Sequence, residues 1–375
     1  MKRVFYLGYY DTIDGNTDVV LSATNKMDYI IDSLIEGGFE VNIISASLST
    51  SGKIAKGSYK TVKKGVSLKK FTTFFGKNRI GKWISRKSIN SQIKKYLLKQ
   101  LKEEDVLLVY HSLGYLSLPE YLKKKTGCKL VYEVEEIYSD VGSTKIKREE
   151  EIKSFEYSDS FLFPTKKLDL IVNPKNKPSI IIHGIYKNNK KTVEQFNDGR
   201  VHCVYAGTFD SNKGGALASI KAFEHLNEKF CLHVLGFGSQ EDIKKVLNAI
   251  KIIQNVAKSE IIYHGLLKGK EYESFLQRCH IGLSTQVPEG IYNETSFPSK
   301  ILSYLSNGLT VVTIRIPVIV ESDIGKNVTY YDKNESISIA NAIIDATYQT
   351  KIDNRNILCV LDEKFKHRLT TMLNS

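Results

Sequence analysis

Short apolar segments alternate twice with helical segments along the chain, and this alternation restricts the possible folds more than any other feature. Parallel strands need a long crossover connection, usually a helix, so strand–helix alternation favours parallel sheets. A polar, turn-rich segment at 186–200 separates the two series. The sequence therefore predicts an α/β protein with two doubly wound, Rossmann-like domains. The predicted strands lie at 4–8, 39–44, 105–110, 129–134, 160–163 and 179–182, then at 201–206, 231–235, 261–263, 280–284 and 309–313.

The domain boundaries follow from the polar segment. A chain of 375 residues is long enough for two hydrophobic cores. We expect an N-terminal domain at 1–190, a C-terminal domain at 200–358, and a terminal helix at 359–375 that packs back on the first domain. No apolar run reaches the roughly 20 residues that span a bilayer, and the first apolar segment predicts a strand, not a secretion signal.

Polar side chains and glycines follow many of the predicted strands. Ligands of doubly wound sheets bind beyond the carboxyl ends of the strands, so these residues are candidates for a site. His111, Glu135 and Glu136 are of the types that position or deprotonate a hydroxyl group, although each could be an ordinary loop residue. Gly207, Thr208, Gly236 and His264 stand at the strand ends of the second half. No Gly-x-Gly-x-x-Gly follows the first strand, so the dinucleotide fingerprint is missing.

The span from Lys53 to Lys102 concentrates positive charge. It contains sixteen Lys and Arg residues and no Asp or Glu, within a chain whose net charge is +13. Aromatic residues are interleaved, and helical spacing places Trp83 on one face with the apolar residues that follow it. Such a span suits an anionic membrane surface, a polyanionic acceptor or nucleic acid, or is simply a solvated face. No known nucleic-acid module is visible. The candidate docking residues are Lys69, Lys70, Trp83, Arg86, Lys87, Lys94 and Lys95.

A helix start near residue 300 is a candidate anion site. Pro298 suits a first helical turn, and Ser296 or Ser299 can present a hydroxyl group beside backbone N–H groups. Lys300 adds a positive charge, so the segment could hold a diphosphate. The helix is predicted to stop at Asn307 and Gly308. An ordinary capped helix is the alternative.

The cysteines and histidines predict no metal site. The five cysteines are scattered singly, without a Cys-x-x-Cys motif or a His/Cys cluster at zinc spacing. We expect buried thiols in a reducing compartment, no metal and no cofactor.

Five motifs of the second half resemble a known family when taken together. They are YAGTFDSNKG at 205–214, LGFG at 235–238, YHG at 263–265, HIGLS at 280–284 and FPSKILSYL at 297–305. In this order they resemble the donor-binding domain of a GT-B-fold glycosyltransferase, most closely the retaining family 4 type. The first half matches only in outline. The resemblance implies two domains facing across a cleft, with a donor nucleotide on the second and an acceptor on the first.

The resemblance also assigns roles to residues. Lys213 matches the family's phosphate-contacting lysine, and the segment of Ser296, Phe297, Pro298, Ser299 and Lys300 matches its diphosphate-facing helix start. Catalysis without a metal would follow if these lysines neutralise the leaving diphosphate. Two positions depart from the family: Thr208 stands near a usual arginine, and Ser303 stands where a ribose-binding glutamate is usual. Glu289 or Glu294 would substitute on the sugar side.

The resemblance leads to one functional expectation and several alternatives. We expect a hexosyltransferase that moves a sugar, with retention, from a UDP-linked donor to a lipid-linked or polysaccharide acceptor in bacterial-type surface glycan synthesis. Its place would be cytoplasmic, peripheral on the inner face of the cell membrane, with no nucleic-acid partner. A nucleotide-sugar 2-epimerase and a non-catalytic GT-B-like partner subunit are the alternatives.

Overall fold

Two β-sheets built mainly of parallel strands, each covered by helices, organise the chain in the computed structural model. The structure describes residues 1–12, 17, 21–50, 54–74, 76, 78–142, 146–210, 214–287, 291–348 and 355–375. It divides into a first unit, formed by residues 1–182 and 364–375, and a second unit, formed by residues 183–363. The sequence-based boundaries at 190, 200 and 358 differ from this division, because residues 183–199 belong to the second unit and the second unit continues to residue 363.

The first unit holds eight strands within the described ranges. The sheet order is β3-β4-β2-β1-β5-β6-β7-β8, and every pairing is parallel except that of β3 with β4. The strands are β1 (Arg3–Gly8), β2 (Glu40–Ser45), β3 (Ser58–Lys63), β4 (Val66–Lys70), β5 (Val106–Tyr110), β6 (Lys129–Glu133), β7 (Ser160–Phe163) and β8 (Ser179–Ile181).

Helices cover this sheet and bury its central strands. Val4, Phe5, Tyr6 and Leu7 of β1 are all buried, as expected for a parallel strand covered on both faces. The first helix ends where the N–H of Phe39 donates to the carbonyl of Leu34 around a left-handed glycine. The helices are α1 (Leu21–Glu36), α2 (Arg79–Gln100), α3 (Leu118–Thr126), α4 (Tyr138–Val141), α5 (Arg148–Lys153) and α6 (Lys166–Val172).

The second unit holds a six-stranded sheet, counted over the part of the chain that is described. Its order is β11-β10-β9-β12-β13-β14, and every pairing is parallel. The two parallel α/β sheets confirm the predicted fold class. The strands are β9 (Val201–Phe209), β10 (Phe230–Gly238), β11 (Glu260–Gly265), β12 (Ile281–Ser284), β13 (Thr310–Ile314) and β14 (Thr329–Tyr331). The helices of this part of the chain are α7 (Gly215–Ala222), α8 (Gln240–Gln254), α9 (Gly269–Arg278), α10 (Lys300–Ser306), α11 (Pro317–Val320), α12 (Ser336–Thr347) and α13 (Arg355–Asn374).

The end of the last helix packs on the first unit. Phe365 stacks on Tyr29 with ring centroids 5.5 Å apart, and Lys366 forms a 2.7 Å ion pair with Glu36. Leu369 and Leu373 are buried. Residues 364–375 therefore close the first unit, although the helix itself already begins at Arg355. Among the described helices, none is long and apolar enough to cross a membrane.

Candidate functional site

Glycines bring the ends of β9 and β10 together in the second unit. In the parallel register, Gly236 lies beside Gly207, and a Cβ atom on residue 236 would be 1.9 Å from the carbonyl oxygen of Gly207. Glycine is therefore required for this close approach. Thr208 follows as an exposed residue, at the carboxyl edge of the sheet where ligands of such folds bind.

Lys300 reaches the same strand end from α10. Its Nζ atom donates to Tyr205 Oη at 2.7 Å and lies 3.9 Å from the centroid of that ring. Burial raises the pKa of Tyr205, so its hydroxyl keeps its proton and donates to the carbonyl of Thr208 at 3.3 Å. The side chain of Lys300 also passes over Gly207, where no Cβ atom obstructs it. The arrangement holds a positive charge at the end of β9.

Tyr304 fixes the helix that carries Lys300. Its hydroxyl oxygen accepts from the N–H of Ala206 at 2.9 Å, and its O–H is 3.3 Å from the carbonyl of Leu283. The ring packs against Gly282, where a Cβ atom would be 2.3 Å away. Because Tyr304 is one helical turn after Lys300, this contact sets the position of the lysine relative to β9.

The segment before α10 has the helical start that the sequence predicts. Ser299 is the N-cap, exposed and in the helical region of φ and ψ, and the N–H of Ile301 donates to the carbonyl of Pro298 at 3.1 Å. Phe297 is buried against the His183 ring, with centroids 4.6 Å apart, and Ser296 is half-buried. The predicted stop is confirmed: Gly308 is left-handed, and the N–H of Leu309 donates to the carbonyl of Tyr304.

The other residues that were predicted to bind the donor have separate contacts within the second unit. The hydroxyl groups of Ser303 and Tyr272 are 3.3 Å apart, at the position where the resemblance expected a carboxylate. The Nε2 atom of His264 is 2.9 Å from Nδ1 of His233, so this histidine is bound within the sheet. Glu294 is exposed. Lys213 and Glu289 lie outside the described residues, and their roles stay predictions.

His111 follows β5 in the first unit but lies in the core. Its side chain is 1% exposed and is surrounded by the rings of Tyr132, Tyr138 and Phe155. Burial lowers the pKa of His111 to about 3, so the ring is neutral at pH 7. Its Nε2 atom is 3.4 Å from a carboxylate oxygen of the buried Glu151. Its catalytic role stays a prediction.

A carboxylate that sequence reasoning did not select lies beside the predicted ones. Glu133 ends β6, is fully buried, and accepts a hydrogen bond from the hydroxyl of Tyr6. Lys26 lies 3.9 Å from Glu133 and also pairs with the half-buried Glu135. Glu136, the next residue, is half-buried as well. The signal in the sequence was a single carboxylate inside the apolar run at 130–134.

The candidate docking side chains of the basic span differ in their contacts and exposure. Lys69 and Lys94 lie over aromatic rings, Arg86 lies over Tyr9, and Lys70 pairs with the buried Asp11 at 2.6 Å. Lys87 and Lys95 are exposed, and Lys87 lies over the ring of Trp83.

Trp83 itself is on the surface. It is 61% exposed, between Ile80 at 70% and Ile84 at 46%. The helical face that Trp83 was predicted to share with the later apolar residues is therefore not covered at the start of α2. The buried apolar residues of α2 are the later ones, Ile89, Ile93 and Leu97.

Comparisons with known proteins agree with this architecture. Residues 200–347 match the family model described as Glycosyl transferases group 1. No curated protein sequence matches the chain.

Three solved structures are similar over the whole chain. One is described as trehalose-6-phosphate from E. coli bound with UDP-2-fluoro glucose (TM-score 0.72, 11% identity, covering 100% of this chain and 99% of that one). The second is a UDP-forming alpha,alpha-trehalose-phosphate synthase from Burkholderia xenovorans (0.68, 14%, covering 98% and 99%). The third is such a synthase from the same organism in complex with glucose-6-phosphate (0.65, 12%, covering 97% and 99%).

The sequence identities are low, so these structures establish only the fold. The family model identifies the domain that contains Lys300, Tyr205 and Gly207, which we call the Lys300 site. The chain is a glycosyltransferase of the GT-B fold whose second unit contains a group 1 glycosyltransferase domain.

Proposed function

We propose that the protein transfers a sugar, with retention, from a UDP-linked donor that binds at the carboxyl end of β9. The observation that carries this proposal is the position of Lys300, whose ammonium group is held beside Tyr205 and over Gly207. All three residues lie within the part of the chain that matches the group 1 model. A similar structure has UDP-2-fluoro glucose bound, which supports a UDP-linked donor.

The proposed chemistry depends on stabilising the leaving diphosphate. Breaking the bond between the anomeric carbon and phosphate places negative charge on the phosphate oxygens. Lys300 supplies a positive charge that is already in position, and Lys213 is assigned to the same task by the resemblance. Fixed cations stabilise such charge without reorganisation, so we infer that no metal ion is needed for this step.

The acceptor that we propose is lipid-linked or a polysaccharide, as in bacterial-type surface glycan synthesis. The support is the start of α2, where Ile80, Trp83 and Ile84 are exposed beside the exposed Lys82 and Lys87. Exposed apolar side chains among lysines fit the interface of an anionic membrane. The protein would then act peripherally on the cytoplasmic face of the cell membrane.

A phosphosugar is the second candidate acceptor. The observation in its favour is that a similar structure, at 12% identity over nearly the whole chain, has glucose-6-phosphate bound. This acceptor is water-soluble, so it would not require the exposed apolar side chains at the start of α2.

One experiment separates these possibilities. The full chain is first screened by thermal shift against UDP-, GDP- and dTDP-sugars, and we expect a UDP-sugar to give the clear stabilisation. That donor, carrying a radiolabel on the sugar, is then incubated with glucose-6-phosphate or with polyprenyl-diphosphate-linked glycan in anionic vesicles. We expect the label to enter the lipid fraction.

Three other outcomes of this experiment would contradict parts of the proposal. Stabilisation by none of the nucleotide sugars would refute the donor assignment. Label found only in the phosphosugar product would replace the lipid-linked acceptor with the second candidate. Release of a 2-epimerised sugar without any acceptor would indicate an epimerase.

A further inference from the structure

A buried cluster of histidine and cysteine side chains lies across two neighbouring strands of the second unit, β9 and β10. Cys231 and His233 are two residues apart on β10, so they share one face of the sheet. The parallel register places His202 of β9 beside Cys231. All three residues are at most 3% exposed. Potential ligand atoms of the three lie within 4.8 Å of one another.

The distances in the cluster are close to those of a metal site. His202 Nδ1 is 2.8 Å from His233 Nε2, and the latter is 3.8 Å from Cys231 Sγ. Tetrahedral zinc requires about 3.4 Å between two nitrogen ligands and about 3.6 Å between nitrogen and sulfur. Small side-chain rotations are therefore sufficient to surround one ion.

The outer partners of both histidines also fit metal binding. Metal-bound histidines usually place their second ring nitrogen against a carboxylate or another polar group. The Nε2 atom of His202 is 2.9 Å from the carboxylate of Asp198, and Nδ1 of His233 is 2.9 Å from His264. A proton on His202 Nε2 that is donated to Asp198 leaves the Nδ1 lone pair directed into the cluster.

The surrounding charges suit a dication. A further carboxylate is that of Glu260, whose Oε2 is 3.8 Å from Cys231 Sγ. A thiolate together with the carboxylates of Asp198 and Glu260 would balance a divalent ion, with Arg200 bridging the two carboxylates. Two imidazoles and one thiolate are the donor set that Zn²⁺ and similar transition ions prefer.

From this geometry we propose that His202, Cys231 and His233 bind one Zn²⁺-type transition-metal ion, with water or Glu260 as the fourth ligand. Binding replaces the thiol proton of Cys231, which is released to solvent, by a metal–sulfur bond, and both imidazoles bind as neutral ligands. The ion would join β9 to β10 before the strand ends that carry the Lys300 site. Its role is structural, and it is independent of the proposed donor and acceptor.

The test is calorimetric titration of the full chain, freed of metal by chelation and dialysis, with ZnCl2. We expect one equivalent to bind and to raise Tm, because binding to the folded state alone stabilises it. Cys231→Ser and His233→Asn should abolish this binding, while Cys359→Ser and His225→Asn serve as controls at residues outside the cluster. Asp198→Asn should weaken binding by about 10- to 100-fold.

The proposal is overturned if the wild-type chain binds no Zn²⁺, in which case the histidines form only a hydrogen-bonded chain. It is equally overturned if Cys231→Ser and His233→Asn bind Zn²⁺ as the wild type does. If circular dichroism shows that these variants do not fold, the wild-type chain is loaded with Co²⁺, and its spectra decide whether Cys231 is a ligand. A near-ultraviolet thiolate-to-Co²⁺ band and one sulfur in the X-ray absorption shell support the site, and a shell without sulfur refutes it.

Discussion

Lys300 and Gly207 occupy adjoining space at the end of β9, so that a Cβ atom on residue 207 would lie 2.4 Å from Cε of Lys300 and 2.7 Å from Nζ. The lysine keeps its place because residue 207 has no side chain. Its ammonium group then meets the hydroxyl of Tyr205 at 2.7 Å. The first two predictions follow from this contact.

Replacement of Lys300 by alanine should weaken UDP-sugar binding by about 10- to 100-fold, the usual loss for a hydrogen bond with a charged group. The matched control is Lys326→Ala, at an exposed lysine of the same unit. Isothermal titration with the stabilising donor measures both variants. Equal affinity of Lys300→Ala and wild type would remove Lys300 from the donor site.

Gly207→Ala should also weaken donor binding, because the new methyl group displaces the end of the Lys300 side chain. The double variant Gly207→Ala/Lys300→Ala should then bind donor about as weakly as Lys300→Ala alone. Residues in direct contact give non-additive effects in such a cycle. Fully additive losses of binding free energy would show that the two positions act separately.

Tyr304→Phe should lower the free energy of unfolding of the second unit by about 1–3 kcal/mol, because the buried N–H of Ala206 loses its acceptor. The control is Tyr348→Phe, at a tyrosine that is 82% exposed, with an expected change within about 0.5 kcal/mol. Urea denaturation followed by circular dichroism gives both values. Similar values for the two variants would contradict the anchoring role of Tyr304.

Glu133→Gln should change how stability depends on pH. Burial raises the pKa of Glu133 to about 8, with Lys26 opposing part of the rise, so the folded state holds a proton that the unfolded state releases near pH 4.5. This proton contributes fully to the free energy of unfolding below about pH 4.5, and its contribution is lost as the pH rises towards 8. The glutamine variant does not lose this stability as the pH rises, and its amide oxygen can still accept a hydrogen bond from the hydroxyl of Tyr6.

The measurement is Tm of both proteins from pH 5 to 8. The Tm of Glu133→Gln minus that of the wild type should increase steadily over this range. Glu149→Gln, at an exposed carboxylate of the same unit, controls for general charge effects. A difference that stays constant with pH would show that Glu133 is already charged in the folded protein at pH 5.

Trp83→Ala combined with Lys87→Ala should reduce sedimentation with anionic vesicles, because it removes an exposed aromatic ring and a nearby charge. Wild-type binding should fall as salt rises. Leu170→Ala, at a leucine of the same unit that is 71% exposed, tests whether any apolar surface residue matters. Equal binding to neutral vesicles, or no effect of the double substitution, would refute membrane docking.

Several features of the fold follow from the sequence by local physics. Apolar runs predicted the strands other than β3, β4 and β14. The stop at Asn307 and Gly308 occurs where predicted, since glycine adopts the left-handed conformation that ends a helix. The hairpin of β3 and β4 was not predicted, because all six residues of β3 are exposed and carry no apolar alternation. The exposure of Trp83 was not evident from the sequence for a related reason: helical periodicity does not show how much of a long helix its neighbours cover.

The sequence by itself determined two α/β units, their glycine-bearing strand ends and the helix start at Lys300, since burial and backbone conformation leave patterns over a few residues. Only the tertiary structure decided which side chains meet. Lys300 reaches Tyr205, Glu133 meets Lys26 and Tyr6, and the cluster of His202, Cys231 and His233 forms across two strands. These contacts depend on which strands and helices are neighbours in the fold, and local periodicity does not encode that order.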